Sequence, residues 1–156
     1  MNILVCISKS PDTTSKIAFS NDNTQFDDNG VQYIVNPYDE WYALVRALEL
    51  KETLGGHVTI ISVGADEAVR IDADPKDAYY TAMQIAHYAQ ANGFDLVLTG
   101  KETINYNGSQ VGGMIAEALD APFVSLATKL EVNGTTAQLE REIVGGLELI
   151  EVALPV

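Results

Sequence analysis

The stretch Phe94-Asp95-Leu96-Val97-Leu98-Thr99-Gly100 and the later loop Asn107-Gly108-Ser109-Gln110-Val111-Gly112-Gly113 decide the fold. The first is a short apolar run, which is typical of a strand covered on both faces of a parallel sheet. The second is glycine-rich, and the apolar residues spaced behind it predict one buried face of a helix. These helix residues are Val111, Ile115, Ala118 and Leu119. Strand, loop and helix in this order indicate one βα unit of a layered α/β sheet.

The glycine-rich loop carries the main binding hypothesis. Free N–H groups at the start of a helix, together with the positive end of its dipole, form an anion site. Glycines let the backbone approach a phosphate closely, and Ser109 and Gln110 can add side-chain hydrogen bonds. The spacing is neither G-x-x-x-x-G-K-[ST] nor G-x-G-x-x-G, so two common nucleotide motifs do not apply. Phosphate binding and a plain flexible turn therefore both stay open, at the carboxyl end of a parallel strand.

The residues before this unit repeat the same layered pattern. Strands are predicted at 2–8, 31–35, 57–63 and 68–71, with a small hairpin around residues 17–26. One helix begins at Asn36-Pro37 and ends at Gly55-Gly56, and a second begins near Pro75 and Asp77. The predicted buried faces of these helices are Trp41, Leu44, Val45 and Leu48, and then Ala78, Ala82, Ile85, Ala86 and Ala89.

The pattern changes after Pro122. Alternating strands are predicted at 126–132, 137–144 and 147–154, separated by the tight-turn dipeptides Asn133-Gly134 and Gly145-Gly146. They indicate an antiparallel meander. The whole chain, residues 1–156, is therefore expected to form a single α/β domain with a parallel sheet in front and this meander at its end.

Composition excludes several classes of function. Nine basic and 22 acidic residues give a net charge of −13, which argues against nucleic-acid binding and against a polybasic membrane contact. Apolar runs stay shorter than the roughly 18 residues of a membrane span, so direct membrane insertion is not expected. A single cysteine, Cys6, fits a reducing compartment, and the N-terminus shows no secretory signal pattern. These features predict a cytoplasmic protein.

No set of residues predicts catalysis or a metal site. His57 and His87 have neither a second histidine nor a cysteine nearby in sequence, so ordinary surface or half-buried imidazoles are favoured. Glu140 and Glu142 alternate with Arg141 on one strand, which is more often a solvated face than an acid–base pair. Cys6 lies in an apolar strand and is read as a packed thiol. The chain is predicted to bind a ligand rather than to break bonds.

The chain resembles the beta subunit of the electron transfer flavoproteins. Its matching stretches cover nearly the whole chain, and the glycine-rich loop with the Arg-Glu-Ile…Gly-Gly strand is fairly specific to that family. They are residues 3–7 with 11–13, 36–40, 64–68, 94–101, 107–114, and 141–146 leading to Leu154-Pro155. One departure is Val144, where the family usually has an acidic residue; little effect on ligand binding is expected from it.

The resemblance implies the fold, the cofactors and the site. The fold would be a Rossmann-like parallel sheet of the adenine nucleotide alpha-hydrolase-like type, with the antiparallel meander following it. The chain would bind AMP structurally and would pair with an alpha subunit that holds most of one FAD. Residues carried over to the adenosine pocket are Cys6, Asn36, Pro37, Tyr38, Asp39 and Val63, with Tyr38 also near the flavin. Those carried over to the phosphate are Asn107, Gly108, Ser109, Gln110, Val111, Gly112, Gly113 and Met114.

The same resemblance implies partners and leaves alternatives open. Family members accept electrons from flavoprotein dehydrogenases, notably the acyl-CoA dehydrogenases of fatty acid oxidation, and pass them to a further acceptor. A bifurcating member would hold a second FAD in the AMP site. Outside the family, an adenine-nucleotide hydrolase or sensor of related fold would need a serine/glycine loop after the first strand, or two close glycines and a Gly-Ser/Thr pair. Residues 8–12, Ser-Lys-Ser-Pro-Asp, do not provide that first-strand loop.

The chain is also expected to be shorter than the family pattern. Only Gly64-Ala65-Asp66-Glu67 separates the strands predicted at 58–63 and 68–71, whereas parallel neighbours need a crossover of about a dozen residues. A link of this length otherwise predicts an antiparallel hairpin. Because the family has a helix here, an internal segment is expected to be missing beside Gly64. Family members also continue past the Leu-Pro of the last strand, so a C-terminal tail is expected to be lacking as well.

Overall fold

The computed structural model describes residues 1–37, 39–64, 69–72, 77–103 and 108–156, and it contains eleven strands and three helices in those ranges. The strands are β1 (Asn2–Cys6), β2 (Lys9–Pro11), β3 (Phe19–Ser20), β4 (Gln25–Phe26), β5 (Tyr33–Val35), β6 (His57–Val63), β7 (Val69–Ile71), β8 (Leu96–Leu98), β9 (Ala127–Asn133), β10 (Thr136–Ile143) and β11 (Gly146–Ala153). The helices are α1 (Asp39–Leu54), α2 (Ala78–Asn92) and α3 (Val111–Leu119). Within these residues, no helix has both the length and the apolar character needed to cross a membrane.

A parallel sheet forms the centre of the fold, with strand order β7-β6-β1-β8. Its side chains alternate between two hydrophobic cores, as the pleat of a strand requires. In β1, Ile3 and Val5 pack on the side of α1, whereas Leu4 and Cys6 pack on the side of α2 and α3. This confirms the predicted α/β class.

The C-terminal strands form a separate antiparallel sheet of order β11-β10-β9, as predicted. Its inner face closes the first core over α1, and Arg46 Nε donates a 2.9 Å hydrogen bond to the Leu130 carbonyl. After β11, the Val156 carbonyl accepts from Val97 N–H at 2.8 Å, which brings the last residue beside β8. The residues of the inner face that are buried are Leu130, Val132, Ala137 and Leu139.

The predicted buried face of α1 is wrong in part. Trp41 is 54% exposed, Val45 39% and Leu48 43%, and only Leu44 packs against the core. The buried residues are instead Glu40, Ala47 and Leu50, so the buried face is shifted by one residue toward the N-terminus relative to the prediction. The helix has apolar residues in both phases, so its own periodicity does not select one; contacts made by Glu40 do, as described below.

Smaller differences concern the other elements. In α2, Ala82, Ile85, Ala86 and Ala89 are buried as predicted, and Asp77 caps the helix by accepting from Tyr80 N–H at 2.6 Å. In α3 the predicted Ala118 is exposed, whereas Ile115 is buried in the core with α2 as predicted and Ala116 is buried as well. The hairpin predicted near residues 17–26 is present as β3 and β4.

Strands β6 and β7 pair in parallel, with Ile61 opposite Val69 and Val63 opposite Ile71. The hairpin reading of this link is therefore wrong for these two strands. Gly64 and four residues that lie outside the described ranges (65–68) are all that separate the strands in sequence. That link is much shorter than the crossover of about a dozen residues that parallel neighbours need.

We therefore predict that the native chain contains an additional segment between Val63 and Val69. Intact mass spectrometry of the protein purified from its own cells is expected to exceed 16.9 kDa, and peptide mapping should place the added residues beside Gly64. A peptide map that runs directly from Val63 to Val69 through Gly-Ala-Asp-Glu-Ala would contradict this prediction.

Candidate functional site

The predicted site residues gather at the carboxyl edge of the parallel sheet. Cys6 is the last residue of β1, and Val63 is the last residue of β6. Asn36 and Pro37 immediately precede α1, which begins at Asp39, while residues 108–114 form the approach to α3 and its first turn. Open α/β sheets bind ligands at this edge. Tyr38 and Asn107 lie outside the described residues.

The start of α3 keeps the features of an anion site. Gln110 is the N-cap and makes no side-chain capping bond, and the first helical bond runs from Met114 N–H to the Gln110 carbonyl at 3.1 Å. The preceding N–H groups of the first turn point away from the helix without an intrahelical acceptor. Ser109, with a positive φ of 50°, turns the chain into the helix. The geometry fits an anion held by backbone donors.

Gly112 lets this first turn lie directly against the end of β8. A Cβ at this position would lie 2.8 Å from Thr99 Oγ1 and 3.2 Å from Phe123 Cε2. At the adjacent Gly113, a Cβ would meet Phe123 at an ordinary 3.5 Å. The two glycines therefore have different roles: only Gly112 is required by close packing.

Side-chain contacts join the start of α1 to the loop after β8. Asp39 Oδ2 accepts from Lys101 N–H at 3.2 Å, and Asn36 Nδ2 donates to the Glu102 carbonyl at 2.9 Å. Ser109 Oγ donates to Glu102 Oε2 at 3.1 Å. Glu102 thus links the turn before α1 with the loop before α3. The structure brings these predicted segments together through direct hydrogen bonds.

Glu40 is the residue of this edge that sequence reasoning missed. It is 5% exposed, and both of its carboxylate oxygens accept hydrogen bonds from Ser8, at 2.6 Å from the backbone N–H and 2.7 Å from Oγ. An acidic residue in the first turn of a helix is ordinarily placed at the surface, where it favours the positive end of the helix dipole. The available signal was its spacing, since Glu40 shares a helical phase with Ala47 and Leu50.

Burial governs the electrostatics of this edge. Desolvation raises the pKa of Glu40, and the hydrogen bonds from Ser8 offset only part of that effect. Burial, with the nearby Glu40 carboxylate as a smaller cause, raises the pKa of the Cys6 thiol to about 12. Cys6 is therefore a neutral, packed thiol at physiological pH. Among the described residues, no group of histidine, cysteine, aspartate and glutamate side chains could hold a metal ion.

The raised pKa of Glu40 predicts a specific pH dependence of stability. Because the folded chain holds this proton more tightly than the unfolded chain, the contribution of Glu40 to stability is greatest below its ordinary value of 4.5. That contribution falls as the pH rises through the raised folded pKa and is constant above it. Urea unfolding of the wild type and of Glu40→Gln between pH 4 and pH 8 should show the wild type losing stability relative to the variant. A constant difference across this range would contradict the prediction.

Comparison with known proteins identifies the family. The model of the electron transfer flavoprotein domain matches residues 23–156. The chain is 36% identical to the electron transfer flavoprotein subunit beta of Bacillus subtilis (strain 168) over 174 aligned positions, covering 99% of this chain and 66% of the relative. It is 31% identical to the human protein of the same name, covering 99% of this chain and 69% of the relative.

A third relative has a more specific name. The acryloyl-CoA reductase electron transfer subunit gamma of Anaerotignum propionicum is 31% identical, with 99% of this chain and 65% of the relative covered. The chain thus spans about two thirds of the length of the relatives it matches. An alignment of 174 positions also leaves at least 174 − 156 = 18 positions without a counterpart in this chain. By both the domain match and these identities, the chain belongs to the electron transfer flavoprotein beta-subunit family.

Proposed function

We infer that this chain binds AMP as a structural ligand and, paired with an alpha subunit that holds most of one FAD, takes part in electron transfer. The observation that carries the proposal is the convergence of the family's binding segments on one sheet edge. The ends of β1 and β6 meet the starts of α1 and α3 there, and Glu102 connects the two helix starts by hydrogen bonds.

The phosphate of AMP is assigned to the start of α3. The first N–H groups of this helix, to which the N-cap Gln110 makes no side-chain bond, would donate to the anion, and Gly112 lets this turn pack directly against the end of β8. The adenosine moiety is assigned to Cys6, Val63 and the turn at Asn36, Pro37, Tyr38 and Asp39, on the basis of the family resemblance. A ligand that binds only the folded chain stabilises it, which suits a structural role.

Electron transfer is assigned to the complete assembly. The FAD would be shared with the alpha subunit, and flavoprotein dehydrogenases such as the acyl-CoA dehydrogenases would donate the electrons in the cytoplasm. The names of the relatives describe them as subunits, which supports a partner chain. Neutral, buried Cys6 offers no nucleophile, so the role assigned to this chain is binding rather than catalysis.

The experiment is to co-express the chain with its alpha subunit, denature the purified complex, and quantify the released nucleotides by chromatography. One AMP and one FAD per complex are expected. Two FAD molecules and no AMP would indicate the bifurcating form instead. Release of no adenine nucleotide from the beta-subunit site would contradict the proposal.

We also predict that the 156-residue chain alone does not bind FAD stoichiometrically and does not relay electrons. The described site accounts for a nucleotide at one sheet edge, whereas the flavin is assigned mostly to the partner subunit. Flavin absorbance after gel filtration of the purified chain with excess FAD measures this directly. A stoichiometric flavin complex that reduces a dye acceptor would show the prediction to be wrong.

A further inference from the structure

Glu40 is unusual among the carboxylates of α1. It lies in the first turn and is 5% exposed, whereas Glu49 and Glu52 on the same helix are exposed. Its neighbours at hydrogen-bond distance belong to other segments of the chain. A buried carboxylate is unfavourable unless polar partners surround it, so the contacts of Glu40 indicate what it holds in place.

The carboxylate joins two segments of the proposed pocket. Ser8, which follows β1, donates to it through both its backbone N–H at 2.6 Å and its hydroxyl at 2.7 Å. The side chain of Asn36, in the turn before α1, lies near Glu40 and lowers the pKa of its carboxyl, although burial outweighs this effect. Asn36 N–H in turn donates to the Ser8 carbonyl at 3.2 Å. Both oxygens of Glu40 are thus bound to Ser8, and Ser8 is bound in turn to the backbone of Asn36.

These contacts fix the orientation of the Asn36 amide. Its Nδ2 donates to the Glu102 carbonyl at 2.9 Å. Its Oδ1 is buried without a hydrogen-bond partner in the part of the chain that the structure describes. Rotating the amide by 180° would place that oxygen against the Glu102 carbonyl. The orientation is therefore imposed by Glu102, although it leaves one buried acceptor unsatisfied.

A third segment is shaped around the same side chain. Gly100 follows β8, and a Cβ at this position would lie 2.7 Å from Glu40 Cγ and 3.4 Å from Glu40 N. The absence of a side chain at Gly100 therefore gives Glu40 its room. The segments after β1 and β8 and the turn before α1 all meet at this one carboxylate.

We propose that Glu40 is a positioning residue of the nucleotide site, which holds Ser8 and Asn36 in the geometry that the bound nucleotide requires. The inference rests on the proposed function, because it names the residue that arranges the same site. Glu40 itself is not assigned a contact with the ligand. Burial raises its pKa, so the fold keeps an ionisable group there although its charged form is disfavoured.

Glu40→Gln separates positioning from a purely structural role. Glutamine offers one acceptor oxygen where Ser8 donates to two and adds two donors of its own, so it cannot keep both hydrogen bonds that hold Ser8 beside Asn36. It also removes the buried charge, so the melting temperature at pH 7 should stay the same or rise. AMP affinity of the alpha–beta complex should fall by about tenfold or more, which is the expected loss for about one hydrogen-bonding contact. A purely structural residue would instead lower the melting temperature.

Two further variants make the test specific. Gly100→Ala leaves every charge in place but adds a methyl group that would clash with the Glu40 side chain. It should therefore weaken AMP binding as Glu40→Gln does. Glu52→Gln, on the exposed side of the same helix, should change neither property. Hydrogen exchange of the Ser8 backbone amide, followed by mass spectrometry without added nucleotide, should be faster in Glu40→Gln and Gly100→Ala than in the wild type.

The outcomes are distinguishable. A wild-type complex that contains no AMP contradicts the proposed function, whereas the Ser8 exchange measurement still reports whether Glu40 holds Ser8 in place. A wild-type complex that binds AMP, with Glu40→Gln and Gly100→Ala binding equally well, overturns the positioning role. Faster Ser8 exchange together with weaker AMP binding and an unchanged melting temperature supports it.

Discussion

Replacing Gly112 with leucine is expected to abolish stable AMP retention and to lower the melting temperature by several degrees. The new side chain would begin 2.8 Å from Thr99 Oγ1 and 3.2 Å from Phe123 Cε2, so the first turn of α3 must move away from the end of β8. Overpacking of this kind costs about 1–3 kcal/mol, and the lost ligand stabilisation adds to it. Thermal stability should suffer more than the rate of electron transfer, because AMP is assigned a structural role.

Gly113→Ala is the matched control for this experiment. Its Cβ would meet Phe123 at 3.5 Å, and alanine is the better helix former by about 0.5–1 kcal/mol. Scanning calorimetry of the alpha–beta complex should therefore show a lower melting temperature for Gly112→Leu and a higher one for Gly113→Ala. Nucleotide analysis should show AMP lost from the first variant and retained by the second. Full AMP occupancy in Gly112→Leu would show that the first turn of α3 does not hold the phosphate.

Replacing Gly56 with valine is expected to have the largest effect on the fold itself. A Cβ there would lie 1.9 Å from the Met1 carbonyl oxygen, and the residue has a φ of +106° that side chains disfavour. The Met1 carbonyl accepts from His57 N–H at 3.0 Å at the start of the parallel pairing of β1 with β6. The added Cβ would clash with backbone atoms of Met1, which cannot move aside as a side chain can, so a loss of more than about 3 kcal/mol is expected.

Gly55→Val controls for the backbone conformation alone. Gly55 also has a positive φ, of 72°, but nothing lies within 4 Å of its added Cβ. A cost of about 1–2 kcal/mol is expected from the left-handed conformation. Urea unfolding should show a clearly larger loss of stability for Gly56→Val than for Gly55→Val, and similar losses would contradict the steric explanation. Because Gly56 is at the amino edge of the sheet, the fraction of Gly56→Val that remains folded should keep its AMP affinity.

The order of elements could be predicted from the sequence because each has a local signal. Apolar runs predict the strands of the parallel sheet, and Asn133-Gly134 and Gly145-Gly146 predict the turns of the meander. The strand β2 has no such signal, since Lys9, Ser10 and Pro11 do not form a strand-like run. It exists because Ser10 pairs with Ile34 of β5, which is a contact distant in sequence.

The loops of the candidate site could be predicted from the sequence, but the buried hydrogen bonds that hold them in place could not. Glycines and helix starts mark a possible anion site in the sequence itself, whereas the role of Glu40 depends on Ser8, which is 32 residues away. The same contact explains the wrong phase of α1. With Glu40 turned inward to Ser8, Trp41 turns outward, and the apolar spacing could not show this because apolar residues occur in both phases of the helix.

The alternation of side chains along β1 has a consequence for how the protein unfolds. Ile3 and Val5 belong to the core shared with α1 and the meander, while Leu4 and Cys6 belong to the core shared with α2 and α3. Loss of either helical layer would expose one face of the same strand and weaken its hydrogen bonds to β6 and β8. The amides of β1 are thus expected to exchange only when the whole domain unfolds. Their exchange should therefore give one common free energy, whichever core the side chain of the residue belongs to.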